Sequence, residues 1–158
     1  MHGPHSTRSV ALLLVLALAL LATPGRAADF DESFRFDAPT LRVANLIGRI
    51  DVEGHDGDGF VVDVRVRGED ADRDAVRFET RDDRRPELTI VFPDERRFVY
   101  PELGADSRTS FDLDGGGGWS FFGGDRIEVR GRGRGAEMWA DVTIRVPRDG
   151  ELVVTHGV

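Results

Sequence analysis

The side chains with chemical potential in this 158-residue chain fall in a few short stretches. His55-Asp56-Gly57-Asp58-Gly59 sets an imidazole beside two carboxylates, a grouping that could hold a hard cation through oxygen. A calcium loop needs about six or more oxygen ligands and an acidic residue closing it at a fixed distance, which this stretch lacks. Asp-Gly is instead the strongest short hairpin signal, so Gly54, Asp56 and Gly57 are read as turn residues. Asp112, Asp114 and Asp125 surround Gly115-Gly116-Gly117-Gly118 in the manner of calcium-binding glycine repeats, but no nine-residue period is present. The glycine run also lacks the Lys and Ser/Thr of a phosphate loop and precedes no helix. No metal and no cofactor is expected.

Nucleophilic chemistry is equally poorly provided for. The chain has no cysteine, and of its four histidines His2 and His5 lie at the extreme N-terminus. His55 and His156 remain, and neither neighbours a Gly-x-Ser-x-Gly turn or an equivalent. No catalytic residue is assigned. Carboxylates are abundant, so the alternative reading is an envelope carbohydrate- or peptide-processing enzyme using a pair of them, which would need a cleft. Arg130-Gly131-Arg132-Gly133-Arg134-Gly135 looks like an RNA-binding arginine-glycine segment. In so acidic a chain it reads as a turn between strands. Trp119, Phe121 and Phe122 form the remaining candidate, a loop-borne contact surface for protein, glycan or lipid, because aromatic rings supply much of the contact energy at interfaces. The competing reading folds them back over one end of the core.

Composition sets the bounds around these residues. Asp and Glu number 29 against 21 basic residues, all arginine, for a net charge of -8. Both signs interleave along every strand candidate, and no basic stripe follows a phosphate backbone, which excludes nucleic acid as the expected partner. Residues 10–22 form an uncharged apolar run after Arg8, long enough for a signal-peptide core of about 7–15 residues and short of the ~20 that span a bilayer. Gly25 and Ala27 supply small residues for cleavage after Ala27 or Ala28. Residues 1–27 are therefore read as a signal peptide and 28–158 as one exported domain, periplasmic, cell-surface or secreted. The membrane enters only through the signal segment if it stays uncleaved. Without disulfides, the domain must be held by its core alone.

The rest of the chain must position these residues, and its periodicity is that of strands. Phe30, Phe34 and Phe36 share one face of a period-two segment placed at a sheet edge. Leu41 and Val43 share a face, as do Ile50 and Val52. Phe60, Val62, Val64 and Val66 alternate with Val61, Asp63, Arg65 and Arg67. Two further strands, around Phe78 and Ile90, are joined as a hairpin across Asp82-Asp83-Arg84-Arg85-Pro86. Residues 94–124 lose the pattern and read as a long Gly- and aromatic-rich loop insert. Ala140, Val142, Ile144 and Val146 restore it, and a turn at Pro147 to Gly150 leads into a last strand from Leu152. No amphipathic helix is expected outside the signal segment, and the fold class is all-β.

The series Leu41-x-Val43-x-Asn45-x-x-Gly48-x-Ile50-x-Val52-x-Gly54-x-Asp56-Gly57-Asp58-x-Phe60-x-Val62-x-Val64, with the later Val146-Pro147-Arg148-Asp149-Gly150-x-Leu152-x-Val154, resembles the bacterial adhesin-like β-strand-repeat family (domain of unknown function 4097). The resemblance covers roughly residues 34–92 and 127–158. It implies stacked short strands in a β-solenoid-like (β-helix-like) array, with no enzymatic activity. The function it implies is that of an exported or cell-envelope module for binding or structure, facing a surface ligand (protein or glycan) or another envelope component. Asn45, Gly48, Gly54, Asp56, Gly57, Pro147 and Gly150 are its structural turn residues. Gly48 follows Leu41 by seven residues, and the same count from Leu152 passes beyond Val158, so the array is expected to be incomplete at its C-terminal end.

Overall fold

The computed structural model describes residues 29–81, 85–112 and 126–158. The expected signal segment and the aromatic residues Trp119, Phe121 and Phe122 lie outside the described residues. Twelve strands are described: β1 (Phe30–Phe36), β2 (Thr40–Asn45), β3 (Ile50–His55), β4 (Phe60–Arg67), β5 (Arg77–Arg81), β6 (Glu87–Val91), β7 (Arg97–Val99), β8 (Arg108–Asp112), β9 (Arg126–Arg130), β10 (Ala136–Glu137), β11 (Trp139–Pro147) and β12 (Glu151–His156). The only other regular element among the described residues is a 3-10 turn at Pro101–Leu103. The expected all-β class is what the structure shows.

The strands form three four-stranded sheets in the orders β1-β4-β11-β3, β12-β2-β6-β5 and β10-β7-β9-β8. Each sheet mixes the two pairing directions. In the first, β1 and β11 flank β4 antiparallel while β3 runs parallel to β11. In the second, β12, β2 and β6 are parallel and β5 closes a hairpin on β6. The third repeats that arrangement, with β10, β7 and β9 parallel and β8 antiparallel at the edge.

Period-two alternation makes this possible, because it sends every second side chain to one side of the sheet. Phe60, Val62, Val64 and Val66 of β4 are buried, as are Ala140, Val142 and Ile144 of β11. Leu41, Val43, Leu88 and Ile90 from the second sheet and Phe98, Ile127 and Val129 from the third join them in one hydrophobic cluster. Phe78 of β5 packs against Phe30 and Phe34 of β1, with ring centroids 6.4 and 5.3 Å apart, and so ties the hairpin to the first sheet.

The corner after β2 joins the first two sheets. On one side, Ala140 N donates to Ile47 O at 2.9 Å and Val142 N to Arg49 O at 2.8 Å. On the other, Gly157 N donates to Asn45 O at 3.2 Å, Val158 N to Leu46 O at 3.0 Å, and Gly48 N to Val158 O at 2.7 Å. Asn45 is fully buried, and its Nδ2 donates to Ala140 O at 2.8 Å. Gly48 has φ +124°, and a Cβ there would lie 2.1 Å from Ala140 O. The Asn-x-x-Gly spacing is thus a turn whose backbone is clamped between two neighbouring segments.

Two expectations are corrected. Residues 94–124 are not a continuous loop: β7 and β8 lie within them, and β7 occupies an inner position of the third sheet. Three residues are too few to display a period, and Arg108-Thr109-Ser110-Phe111-Asp112 carries a single large apolar side chain. Gly54 is not a turn residue; it lies inside β3, and the bend begins after His55. Ile50 and Val52 share the inward side of β3 as expected, and Val52 is 54% exposed because β3 ends its sheet.

The two glycines make opposite predictions. Gly48→Ala should cost more than about 2 kcal/mol, combining a disfavoured positive φ with backbone overlap at Ala140. Gly54→Ala, with nothing within 4 Å of the added methyl, should leave stability unchanged or raise it by about 0.5 kcal/mol. Urea midpoints measured on the two variants and the parent check both.

Candidate functional site

The outward positions of the first sheet form rows set by its register. Asp31, Arg65 and Asp141 make one row; Ser33, Asp63, Thr143 and Asp51 make the next; Arg35, Val61, Arg145 and Glu53 make a third. These rows surround a shallow hollow of about 620 Å³. Strand alternation puts them there: Asp31, Asp63, Asp141 and Thr143 each adjoin a core residue on their own strand.

Most of the carboxylates in the rows are matched to a donor. Arg65 Nε lies 2.8 Å from Asp31 Oδ1, and Arg49 Nε lies 2.9 Å from Asp51 Oδ2. Arg145 pairs with Asp63, which also accepts from Ser33 Oγ at 2.7 Å. Arg67 Nε approaches Asp141 Oδ2 at 3.4 Å, and Asp141 Oδ1 accepts the Arg49 backbone N–H at 3.2 Å. Asp51 is the first cause holding the Arg49 guanidinium above its ordinary value, and the hydrogen bond to Asp31 does the same for Arg65. These pairs are largely solvent-exposed and contribute little to stability one by one. Their effect is to fix a pattern of donors and acceptors on a rigid sheet.

An aromatic corner adjoins the hollow. Trp139 stands opposite Arg67 in register, and its ring centroid is 5.7 Å from that of Tyr100. Tyr100 is buried, and its hydroxyl donates to Glu102 Oε2 at 3.2 Å. Burial first, and then the Glu102 charge, push the phenol up to about 12. Trp139 Nε1, Arg67 Nε and Arg145 Nε are buried donors with no hydrogen-bond partner among the described residues. The arrangement can hydrogen-bond a polar ligand from both donor and acceptor groups and offer it an indole edge.

The residues singled out by sequence are placed differently. Asp56 is held by Arg148 at 2.7 Å, which links the β3–β4 bend to the β11–β12 turn. His55 staples the same bend, with Nδ1 accepting from Gly57 N at 3.1 Å and Nε2 within 2.9 Å of Gly59 O. His156 Nε2 lies 2.5 Å from Gly48 O at the corner. Pro147 and Gly150 form the expected reverse turn, closed by Gly150 N donating to Pro147 O at 2.9 Å. In the arginine-glycine segment, Gly131 packs so closely on Gly104 that a Cβ would lie 1.8 Å from its carbonyl oxygen, and Arg132 pairs with Asp106 at 2.6 Å. None of these turn residues joins the charged rows. The rows were present in the sequence as the polar halves of alternating strands, and only the pairing of those strands brings them together. Comparison of the chain with known families, characterised proteins and solved structures finds no match.

Tyr100 is the single tyrosine of the chain, so its ionisation can be read alone. Phenolate absorbance should stay flat through pH 10 and rise only near pH 12. Because the folded value is raised, the stabilisation from burying the neutral phenol is complete below the unfolded value of about 10. It is then lost as pH climbs towards 12. Glu102→Gln should lower the titration midpoint without restoring the ordinary value, since burial is the larger cause.

Proposed function

We propose that the chain is a non-enzymatic, exported or cell-envelope β-repeat protein that acts as an adhesin-like binding or structural module. Its strands would form a β-solenoid-like array, as in the β-strand-repeat family it resembles. The parallel runs β12-β2-β6 and β10-β7-β9, and the parallel pair β11-β3, support that reading, since parallel in-register stacking of distant segments is how repeat arrays bury a common core.

The observation that carries the functional part is the pairing on the outer face of the first sheet. Asp31, Asp51, Asp63 and Asp141 each face an arginine there. Carboxylates so held serve as fixed acceptors on a rigid sheet. Alternating fixed donors and acceptors beside an indole suit a hydroxyl-rich surface ligand, an envelope glycan or a polar protein face.

A C-terminally tagged chain expressed in a bacterium should be processed after Ala27 or Ala28 and fractionate with the envelope. It should also co-sediment with isolated envelopes. The double substitution Asp63→Ala with Arg145→Ala should weaken that co-sedimentation about tenfold while leaving the β-type circular dichroism unchanged. A soluble cytoplasmic pool, or release of sugars or peptides from the envelopes, would count against the proposal.

A further inference from the structure

The three large apolar side chains left exposed among the described residues are Val52 at 54% and Val153 and Val154 at 38% each. All three sit on β3 and β12, the strands that end the first and second sheets. Val154 continues a column through Val43 and Leu88, and Val52 continues one through Ile144 and Val62. The inner members of both columns are at most 1% exposed. Among the described residues these columns end at β3 and β12.

Among the described residues, the backbone of β12 is paired along one side only, with β2. Glu151 N donates to Pro39 O at 2.9 Å and Gly157 N to Asn45 O at 3.2 Å, so the odd-numbered positions between them face β2. Leu152, Val154 and His156 accordingly turn their N–H and C=O groups to the free edge. Proteins protect such edges with proline, basic side chains or bulges. The stretch Glu151-Leu152-Val153-Val154-Thr155-His156 contains no proline and no lysine or arginine.

We infer that β12 is the interface of a two-fold dimer, in which it pairs antiparallel with the same strand of a second copy and Val153 lies on the axis. This register places Leu152 opposite the partner's Val154, so core columns meet core columns. Leu152 and Val154 become the hydrogen-bonded pairs, and the Val153 side chains meet at the closer, non-hydrogen-bonded position. Glu151 falls opposite the partner's Thr155, a hydroxyl that can donate to it.

Charge distinguishes this edge from that of β3 at the same end. The same operation on β3, with Val52 on the axis, sets Asp51 opposite the partner's Glu53 twice, and like charges directly opposite are destabilising. The β12 edge has a single carboxylate and meets no like charge.

Sedimentation equilibrium of the purified chain through the micromolar range tests the assignment, and a monomer–dimer equilibrium is expected. V153E places two carboxylates on the axis and should weaken the dimer about tenfold or more. It should not disturb the fold, because within the chain the new carboxylate lies beside Arg42 in register. V153R should weaken self-association in the same way, and an equimolar mixture of V153E and V153R should recover the dimer. V52E, the equivalent change on β3, should leave the equilibrium unaltered. A chain monomeric at every concentration, open-ended association, a dimer indifferent to V153E, or a mixture that fails to recover would each overturn the inference.

Discussion

The backbone between Asn45 and Gly48 is the constraint on which the first two sheets depend. It is buried, and buried N–H and C=O groups must find partners. Here they find them on both sides, in Ala140 and Val142 on one and in Gly157 and Val158 on the other. The turn therefore does more than reverse direction. It passes the parallel register of the second sheet into the first, with β12 beside β2 and β11 beside β3. The Asn45 side chain reinforces one contact through Ala140 O, and only a residue without Cβ fits where Gly48 meets that same carbonyl.

Once this register is set, the surface follows from it. Each strand of the first sheet contributes a core side chain and then an outward one, and the fixed offsets align the outward ones in rows. Asp63 and Arg145 are 82 positions apart in the chain yet meet as a pair, and Ser33 reaches Asp63 across 30 positions. The net charge of -8 thus conceals a local balance on this face, where most carboxylates are answered by arginine. The same alternation that buries the valines of β4 displays Asp63, Arg65 and Arg67.

Much of the fold was legible because its strands alternate cleanly. β4 and β11 carry β-branched residues at every second position, β1 spaces its phenylalanines in the same way, and the β5–β6 hairpin is as expected. β7 and β8 were not legible: one is too short to show a period, and the other places one apolar side chain among polar neighbours. Gly54 misled because glycine in a strand reads as punctuation whenever the neighbouring Asp-Gly pair signals a turn nearby. The Trp119, Phe121 and Phe122 surface lies outside the described residues. The charged rows were legible only as polar halves of strands, and Tyr100 and Trp139 gave no local sign of facing each other across 39 positions of sequence.

The amino-acid sequence by itself determined the all-β class, the side of each long strand that enters the core, the mixed-charge outer surface and the absence of thiol chemistry. Those properties are local, arising from the two-residue repeat of an extended backbone and from composition. Only the tertiary structure decided which strands are neighbours, and with that which carboxylate meets which arginine. It also decided why Tyr100 holds its proton so tightly and which core columns end at β3 and β12. Such properties depend on register between segments far apart in sequence, and a two-residue repeat cannot specify register because it looks the same after every shift of two residues.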